Sequence, residues 1–441
     1  SDSCVLRSTG QENYLVGTAN GSVDIYHNSS KKFETTANGI TVTGRIDAAA
    51  DSTHDIGTSS VRFANGYFDT VYGDGSNLTN LPASGKASNL FDNGAFQIAQ
   101  RGPSSDSGGK QTVDRWWTSD NNMNVTITQS QHALTSSDSG PWALGFRYSY
   151  KIAFSAAGNS LDGSSYVEFL HFVESGVLSR SGCDYTSASS NITFSFWFKA
   201  STNATFYASL KTGDGDAYSY PFSFTASGND TWTKITKTIP GNSNIQINND
   251  EGIGMQFRII PYYGADSTDS GKSLNAWSAH TNAAFTPDFA TTWATSTNPS
   301  FEITGCLLEV ADSASDYPHL KYGEELLICQ RYYYRTFANN NEFFPGMGMA
   351  DTDGNTVILN TQFPVTMRTA PTALEQTGTA SDYKIRRSTN ATCTSVPAFG
   401  HATKDQAATN FISSSHGFGD GSAVRCMSAG TDHHLAWSAD L

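Results

Sequence analysis

The sequence predicts an all-β protein, and three observations support this prediction. Charged residues make up 15% of the chain, well below the roughly 25% of ordinary soluble domains. Glycine, serine, threonine and asparagine take their place, and aromatic residues reach 12%. Apolar and polar residues alternate along many short stretches, which is the period of a β-strand. This pattern favours many short strands joined by turns over helices rich in glutamate, lysine and alanine.

Residues 1–85 predict a β-stem of short strands separated by glycine turns. In GITVTGRID, Ile40, Val42 and Ile46 share one face of a strand. Few other large apolar side chains accompany them, so a single copy of this segment cannot close a core of its own. Symmetric association with further copies would supply the missing apolar surface.

The end of this segment, GDGSNLTNLP, places Leu78 and Leu81 one helical turn apart, directly before Pro82. Proline ends such a turn because it has no amide hydrogen to donate. We expect both leucines to point at an axis that several chains share. An ordinary hairpin cap within a monomeric domain is the alternative interpretation.

Residues 86–314 predict an antiparallel β-sandwich of jelly-roll type, because alternating strands follow one another without helical periodicity between them. FRYSYKIAF places five large side chains on one face: Phe146, Tyr148, Tyr150, Ile152 and Phe154. NITFSFWFKAS places Ile192, Phe194, Phe196 and Phe198 on one face, and Thr193, Ser195, Trp197 and Lys199 on the other.

A connecting helix is predicted within residues 315–335, over YGEELLICQRYYYR at 322–335. Acidic residues in its first turn and arginines in its last suit the helix dipole. We expect the face formed by Leu326, Leu327, Tyr333 and Tyr334 to pack against the sandwich or its symmetry mates. Residues 336–441 return to short strands and predict a smaller C-terminal β-domain.

The net charge of -14 excludes several classes of partner. Such a surface repels phosphate backbones, and no basic cluster offsets it, so we expect no nucleic-acid partner. The same negative electrostatic field disfavours the binding of strongly anionic polymers unless a local patch of positive charge overrides it. No apolar run approaches the roughly 20 residues that span a bilayer, so we expect no membrane insertion. The six scattered cysteines predict free, mostly buried thiols.

The long segment 262–300 carries the residue types that bind sugars. Aromatic rings stack on C–H faces, while asparagine, aspartate and serine bond hydroxyls. Long loops without regular structure are uncommon unless functional. The candidate ligand residues are Tyr262, Tyr263, Trp277, His280, Phe285 and Trp293. Alternatively, Trp277 and Trp293 plug the end of the sandwich or a subunit interface.

No motif in the sequence predicts catalysis, a metal or a cofactor. His433 and His434 are adjacent, so on a strand they point to opposite faces and cannot share one ion. GDGD at 213–216 and DTDG at 351–354 are better interpreted as turns than as calcium loops. Nucleophile-elbow, zinc-protease and phosphate-loop motifs are absent. Paired acidic residues could still hydrolyse glycosides, but their separation cannot be inferred from sequence.

Several stretches resemble bacteriophage tail fibres, including those of marine phages and cyanophages. The run from NGITVTG to GDGSNLTNLP resembles their repeating stem. Five further stretches resemble the receptor-binding part of these fibres: NLFDNGAFQIAQRG, VDRWW, TFSFWFKAS, FEITGCLLEVADSASDYPH and GEELLICQRYYY. Two C-terminal stretches, FPVTMRTAPTA and HLAWSADL, resemble the domain that often follows it.

This resemblance implies a homotrimeric, non-enzymatic fibre of the virion tail. Its distal end would adsorb to host surface polysaccharide or lipopolysaccharide, and its N-terminus would join other phage tail proteins. The resemblance supplies no motif for the binding residues. A polysaccharide-degrading tailspike and a purely structural virion or adhesin protein are the alternative functions.

Overall fold

The fold is described from a computed structural model of the chain, which describes residues 2–49, 58, 60, 61, 89–290 and 292–441. The chain divides into two compact units, Ser1–Leu78 and Thr79–Leu441. The described residues are mostly strands, turns and loops, and only two α-helices occur among them. The predicted all-β class is therefore confirmed.

The first unit contains a five-stranded meander in which each strand pairs with the next along the chain. Its strands are β1 Ser3–Arg7, β2 Asn13–Thr18, β3 Val23–His27, β4 Ser30–Thr36 and β5 Gly39–Val42. Among its described residues only Asp24 is buried, and its carboxylate lies 2.9 Å from Lys31 Nζ. Leu6, Ile40 and Ile46 are 60%, 65% and 78% exposed. The described part of this unit thus buries no apolar side chain.

The predicted axis residues Leu78 and Leu81 lie outside the described residues, and so does the predicted boundary at residue 85. Their role, the stem boundary and the trimer stay predictions. The chain divides into units between Leu78 and Thr79, and the sandwich and the C-terminal strands belong to one unit.

A β-sandwich of two six-stranded sheets begins the second unit. Its strands are β6 Ser104–Ser105, β7 Trp116–Asn121, β8 Ile127–Ala133, β9 Tyr148–Phe154, β10 Tyr166–Glu174, β11 Asn191–Ala200, β12 Thr205–Thr212, β13 Tyr218–Thr225, β14 Thr233–Pro240, β15 Ile253–Tyr263, β16 Ser278–Ala279 and β17 Ser300–Val310. Sheet I has the order β16-β13-β12-β15-β10-β7, and sheet II has the order β14-β11-β17-β9-β8-β6. A short helix, α1 Ser175–Ser179, follows β10. The predicted jelly-roll sandwich is confirmed.

The core between the sheets is built largely from aromatic rings. Phe194, Phe196 and Phe198 of β11 are fully buried, and the rings of Phe194 and Phe196 stack with centroids 4.6 Å apart. Burying each such side chain contributes roughly 1.5–3 kcal/mol. The alternation predicted for β11 is confirmed, since Trp197, which lies between Phe196 and Phe198, and Lys199, which follows Phe198, point to the outer face of sheet II.

The C-terminal part of the unit has its own core around Tyr383, Phe411 and Trp437. Its strands are β18 Tyr333–Ala338, β19 Met347–Ala350, β20 Thr356–Gln362, β21 Glu375–Gln376, β22 Tyr383–Arg386, β23 Asn390–Thr392, β24 Ala398–Ala402, β25 Gln406–Ile412, β26 Ala423–Ser428 and β27 His433–Ser438. They form a three-stranded sheet, β18-β27-β21, and a seven-stranded sheet, β23-β22-β26-β19-β20-β25-β24.

The connecting helix is shorter than predicted. Helix α2 spans Tyr322–Gln330 and does not reach residue 335. Tyr333 begins β18 instead, because its backbone pairs with Ser438 of β27. The predicted packing face is correct in part: Tyr333 is buried and Leu326 is half-buried, whereas Leu327 is 46% exposed. Its packing against symmetry mates stays a prediction. Among the described residues, no helix is long and apolar enough to cross a membrane.

The C-terminal part is joined to the sandwich by polar contacts at buried positions. Gln100 Nε2 donates to the backbone oxygen of Tyr333 at 2.7 Å. The guanidinium of Arg331 lies 2.9 Å from the buried carboxylate of Glu174.

All six cysteines are free, and four of them are buried, as the sequence predicted.

Candidate functional site

The segment predicted to bind ligand packs against the outer face of sheet I. Tyr262 and Tyr263 end β15 and are 5% and 4% exposed. The hydroxyl of Tyr263 donates to the buried carboxylate of Glu168. The ring of Phe285, itself buried, lies 5.6 Å from the ring of Tyr263. Tyr262 belongs to the core between the sheets, whereas Tyr263 and Phe285 form a separate cluster with Ile260. None of the three presents a free ring face to a ligand, which corrects their prediction as ligand residues.

Trp293 is a core residue, which corrects its prediction as a ligand residue. It is 1% exposed, and its indole nitrogen donates to the backbone oxygen of Ser300 at 3.1 Å. Its ring lies 5.3 Å from that of Phe154. The alternative interpretation, a plug within the sandwich, describes this side chain.

Trp277 and His280 are the two candidates that remain half-buried. The indole nitrogen of Trp277 donates to the backbone oxygen of Pro240 at 2.7 Å, and its ring packs on Tyr220. Burial lowers the pKa of His280 to about 4. The structure therefore does not bring the six predicted residues together as an open binding surface.

A different concavity lies on the outer face of sheet II. This trough encloses about 270 Å³, and its lining includes Ser195, Trp197, Lys234, Asp316, Tyr317 and His319. We call it the aromatic trough. Its residues come from strands β11, β14 and β17, from the segment before β9 and from the segment that follows β17.

Trp197 forms the floor of the aromatic trough because of its place in β11. It points away from the core, directly opposite Lys234 of β14. Gly140, whose φ is 97°, rests against the edge of the indole, and a Cβ there would lie 2.8 Å from the ring. No residue with a side chain could bring this loop so close, so glycine is required at this position.

Asp138 holds the same loop in place. Its carboxylate accepts hydrogen bonds from the Trp232 indole nitrogen at 2.9 Å, from the Thr135 amide at 2.9 Å and from Lys199 Nζ at 3.1 Å. Partial burial alone would raise the pKa of Asp138, but these donors, Trp232 first, hold it well below its usual range. The loop is thus fixed by an ionised carboxylate with three partners.

A β-bulge shapes the opposite wall of the aromatic trough. The pairing of β11 with β17 shifts register between Ser195 and Trp197, across from Gly305, whose φ is 62°. A Cβ on Gly305 would lie 2.6 Å from the ring of Phe146. The Phe146 ring in turn packs 4.8 Å from His319. The bulge therefore makes room for the aromatic wall, a common use of such irregularities next to binding sites.

A buried ionic cluster stabilises the strands beside the aromatic trough. The carboxylate of Glu302 is 2% exposed and lies 3.2 Å from Lys199, 3.3 Å from Lys151 and 3.2 Å from His132. Burial raises the pKa of Glu302, but the hydrogen bond from His132 and the two lysine charges outweigh burial and bring it to about 2. Glu302 is therefore ionised at neutral pH.

The aromatic trough combines the two features that saccharides need. The indole of Trp197 and the ring of Tyr317 offer flat apolar surface, while Ser195, Lys234 and Asp316 offer hydrogen bonds. Sequence reasoning missed this site. The available signal was a tryptophan on the outer face of a strand whose other face is entirely apolar, with three phenylalanines.

The paired histidines lie as their adjacency predicted. His433 Nδ1 lies 3.0 Å from Ser428 Oγ, whereas His434 Nδ1 lies 2.7 Å from Arg335 Nη2 on the other side of β27. Within the described parts of the chain, no three histidine, cysteine or acidic side chains gather as metal ligands would.

Comparison with known proteins gives structural matches only. No protein-family model matches the chain, and no curated protein matches it. The enzymatically active domain of tailspike protein 4 of bacteriophage CBA120 matches with a TM-score of 0.28 and 12% identity, over 51% of this chain and 21% of that one. The N-terminal cellulose-binding domain of Cellulomonas fimi β-1,4-glucanase C matches with a TM-score of 0.24 and 10% identity, over 48% and 98% of the two chains.

A third match is the family 11 carbohydrate-binding module of Clostridium thermocellum, solved with a mixed-linked β-1,3-1,4 tetrasaccharide. Its TM-score is 0.21 and its identity 10%, over 49% of this chain and 98% of that module. Likenesses at this level do not assign a family to the chain.

Proposed function

We propose that the protein binds carbohydrate through the aromatic trough and attaches a phage tail to its host as a tail fibre. The observation that carries this proposal is Trp197, half-buried on the outer face of sheet II against Gly140 and among hydrogen-bonding side chains. A ring fixed in this way loses little conformational entropy when a sugar stacks on it. The sequence resemblance to phage tail fibres supports the biological setting.

Binding without cleavage is part of the proposal. Hydrolysis of a glycosidic bond ordinarily needs two carboxyl groups that flank the scissile bond. Among the residues that line the aromatic trough, Asp316 is the single carboxylate. A polysaccharide-degrading tailspike is the second candidate function, and reducing-sugar release from host polysaccharide distinguishes the two. We expect no release.

A trimer of the first unit is proposed as the assembly. In support, Leu6, Ile40 and Ile46 of its described part expose most of their apolar surface, which a symmetric partner would cover. Three copies of a shallow trough would convert weak affinity for one sugar into avidity for a host surface. The proposed ligand is therefore a repeating host polysaccharide or lipopolysaccharide.

The test compares two tryptophan variants on an array of bacterial surface glycans. Trp197→Ala should weaken binding at least tenfold, which corresponds to about 1.4 kcal/mol, because it removes the stacking surface. Trp277→Ala is the matched control, since Trp277 is also half-buried but lies outside the trough. Melting temperatures of both variants establish that they fold.

The opposite pattern would contradict the proposal. If Trp277→Ala abolishes binding and Trp197→Ala leaves it intact, the ligand binds at the 262–300 segment. If wild-type protein binds no glycan on the array while it still adsorbs to host cells, the receptor is not a carbohydrate.

A further inference from the structure

A second concavity, which the proposed function does not use, lies where the sandwich meets the three-stranded C-terminal sheet. It encloses about 720 Å³, within the range of pockets that hold drug-sized ligands. Its lining includes Arg101, Lys110, Trp117, Arg335, Glu375 and Asp440. We call it the junction cleft. Both parts of the second unit contribute to it, so it exists only when they are packed together.

Cations outnumber carboxylates in the lining of the junction cleft, and the carboxylates already have partners. Asp440 lies 2.8 Å from Arg101 and 3.7 Å from Lys110. Glu375 accepts a hydrogen bond from the Tyr333 hydroxyl at 2.9 Å. Burial is the main cause that lowers the pKa of Lys110 to about 8, against the attraction of Asp440. Lys110 Nζ donates to the backbone oxygen of Leu441 at 2.7 Å, and its nearest side-chain carboxylate is Asp440 at 3.7 Å.

Arg335 is the cation whose charge is least compensated. Among the described residues, no carboxylate comes within 4 Å of its guanidinium. Its nitrogens instead donate to the backbone oxygens of Gln100 at 3.0 Å and Arg101 at 2.8 Å and to His434 Nδ1 at 2.7 Å. Burial also lowers the pKa of Arg335, against the attraction of the Tyr333 and Glu375 side chains. A half-buried arginine with neutral partners only is the arrangement that an external anion would complete.

Unused hydrogen-bond donors point to the same kind of ligand. Arg101 Nη1, Arg335 Nε and Trp117 Nε1 are buried and have no hydrogen-bond partner among the described residues. The Arg101 side chain is only 9% exposed. A buried donor without an acceptor costs about 1–3 kcal/mol. These three groups are N–H donors, and the one unsatisfied acceptor in the lining, Asp440 Oδ1, already faces Lys110 and Arg115 at 3.7 Å. The group that would satisfy the three donors is therefore an acceptor.

We propose that the junction cleft binds an acidic saccharide through its oxyanion, either a carboxylate or a sulfate ester. Arginine pairs with planar and tetrahedral oxyanions through parallel N–H bonds. The volume of the cleft exceeds that of a free inorganic ion, which leaves room for the sugar that carries the charge. The site is separate from the aromatic trough and does not depend on it.

The overall charge of -14 does not prevent such binding. The Debye length at physiological ionic strength is about 8 Å, so distant surface carboxylates are screened. The local groups determine the potential inside a cleft whose walls exclude part of the solvent. The junction cleft is thus the local basic patch that the composition of the chain does not reveal.

The test uses pairs of polysaccharides that share a backbone and differ in charge. Binding of the full chain is measured by titration calorimetry with polygalacturonate and its methyl-esterified form, and with κ-carrageenan and its desulfated form. We expect at least tenfold tighter binding to the charged member of one pair or of both. Preference within the first pair identifies a carboxylate ligand, and preference within the second identifies a sulfate ester.

Variants then locate the binding site. Arg335→Gln should remove the preference for charge. Arg425→Gln should keep it, because this control arginine also lies over a phenylalanine ring, with 4.8 Å for Arg425 over Phe343 against 4.6 Å for Arg335 over Phe337. Lys110→Gln serves as a second variant if Arg335→Gln does not fold. Trp197→Ala should keep the charge preference, which separates this site from the aromatic trough.

Two results would overturn the inference. Equal affinity for charged and neutral members of both pairs would show that no oxyanion is recognised. A charge preference that survives both Arg335→Gln and Lys110→Gln, or that disappears in Trp197→Ala, would place the recognition outside the junction cleft.

Discussion

The carboxylate of Asp138 accepts a hydrogen bond from the indole nitrogen of Trp232 at 2.9 Å, across 94 positions of the chain. This contact ties the loop after β8 to the edge strand of sheet II, and the same carboxylate binds Lys199 at 3.1 Å. Because Gly140 of this loop rests on Trp197, Asp138 determines how the proposed sugar-stacking surface is presented.

We therefore predict that Asp138→Ala weakens carbohydrate binding more than it weakens the fold. Affinity should fall about tenfold, since the loop is no longer held against Trp197, while the free energy of unfolding falls by about 1 kcal/mol for the half-buried Trp232 donor left unpaired. Glycan affinity and urea unfolding measure the two effects. Asp312→Ala is the control, because Asp312 makes an exposed contact with Asn191. Equal affinities for the two variants would mean that the loop plays no part in binding.

The bulge at Gly305 gives a second prediction. Gly305→Ala should destabilise the protein and reduce glycan affinity, because the new methyl group would lie 2.6 Å from the Phe146 ring at a φ of 62°. Gly354→Ala is the matched control, since Gly354 has a similar φ of 71° but no atom within 4 Å of the new methyl group. The difference in unfolding free energy isolates the steric contact from the backbone strain. If both variants cost the same and bind alike, the bulge does not shape the trough.

The Glu302 cluster predicts how stability depends on acid. The folded pKa of Glu302, about 2, lies below its ordinary value of 4.5, so its contribution to stability is complete above pH 4.5 and is lost as pH falls toward 2. Glu302→Gln should cost about 3 kcal/mol at pH 7, because it removes the buried carboxylate from two half-buried lysines, of which Lys199 keeps Asp138. Urea unfolding from pH 7 to pH 2 measures both effects. A wild-type pH profile identical in shape to that of the variant would contradict this account of Glu302.

The burial of Trp293 predicts a large effect on stability. Trp293→Ala should lower the unfolding free energy by about 3–5 kcal/mol, as for other large core side chains, whereas Trp277→Ala, at a half-buried site, should cost less. Chemical unfolding of the two variants decides this. If the costs are reversed, Trp293 is a surface residue and returns to the list of ligand candidates.

The sequence predicts the sandwich well because burial on one face produces strict alternation. Large apolar residues occupy every second position of β11 from Ile192 to Phe198, and polar residues stand between them except at Trp197. This period of two favours a strand over a helix. The end of α2 could not be predicted in this way, because the tyrosines at 332–334 suit a strand as well as a helix. Pairing with β27 at Ser438 decides between them.

The binding sites are harder to predict because they are assembled from distant segments. The aromatic trough combines Trp197 with Gly140, Lys234, Gly305 and His319, and no local pattern connects these positions. The opposite problem occurs at Trp293, which the sequence predicts as a ligand residue because it lies in a polar loop. The fold places its side chain in the core, which no local pattern of the loop indicates.

The most direct test of the central claim is a crystal structure of the protein with a saccharide that it binds on the glycan array. The account predicts a sugar ring stacked on Trp197, with its hydroxyls bonded to polar groups of the trough such as Lys234 and Asp316. A saccharide found instead against Trp277 and His280, with the trough empty, would contradict it.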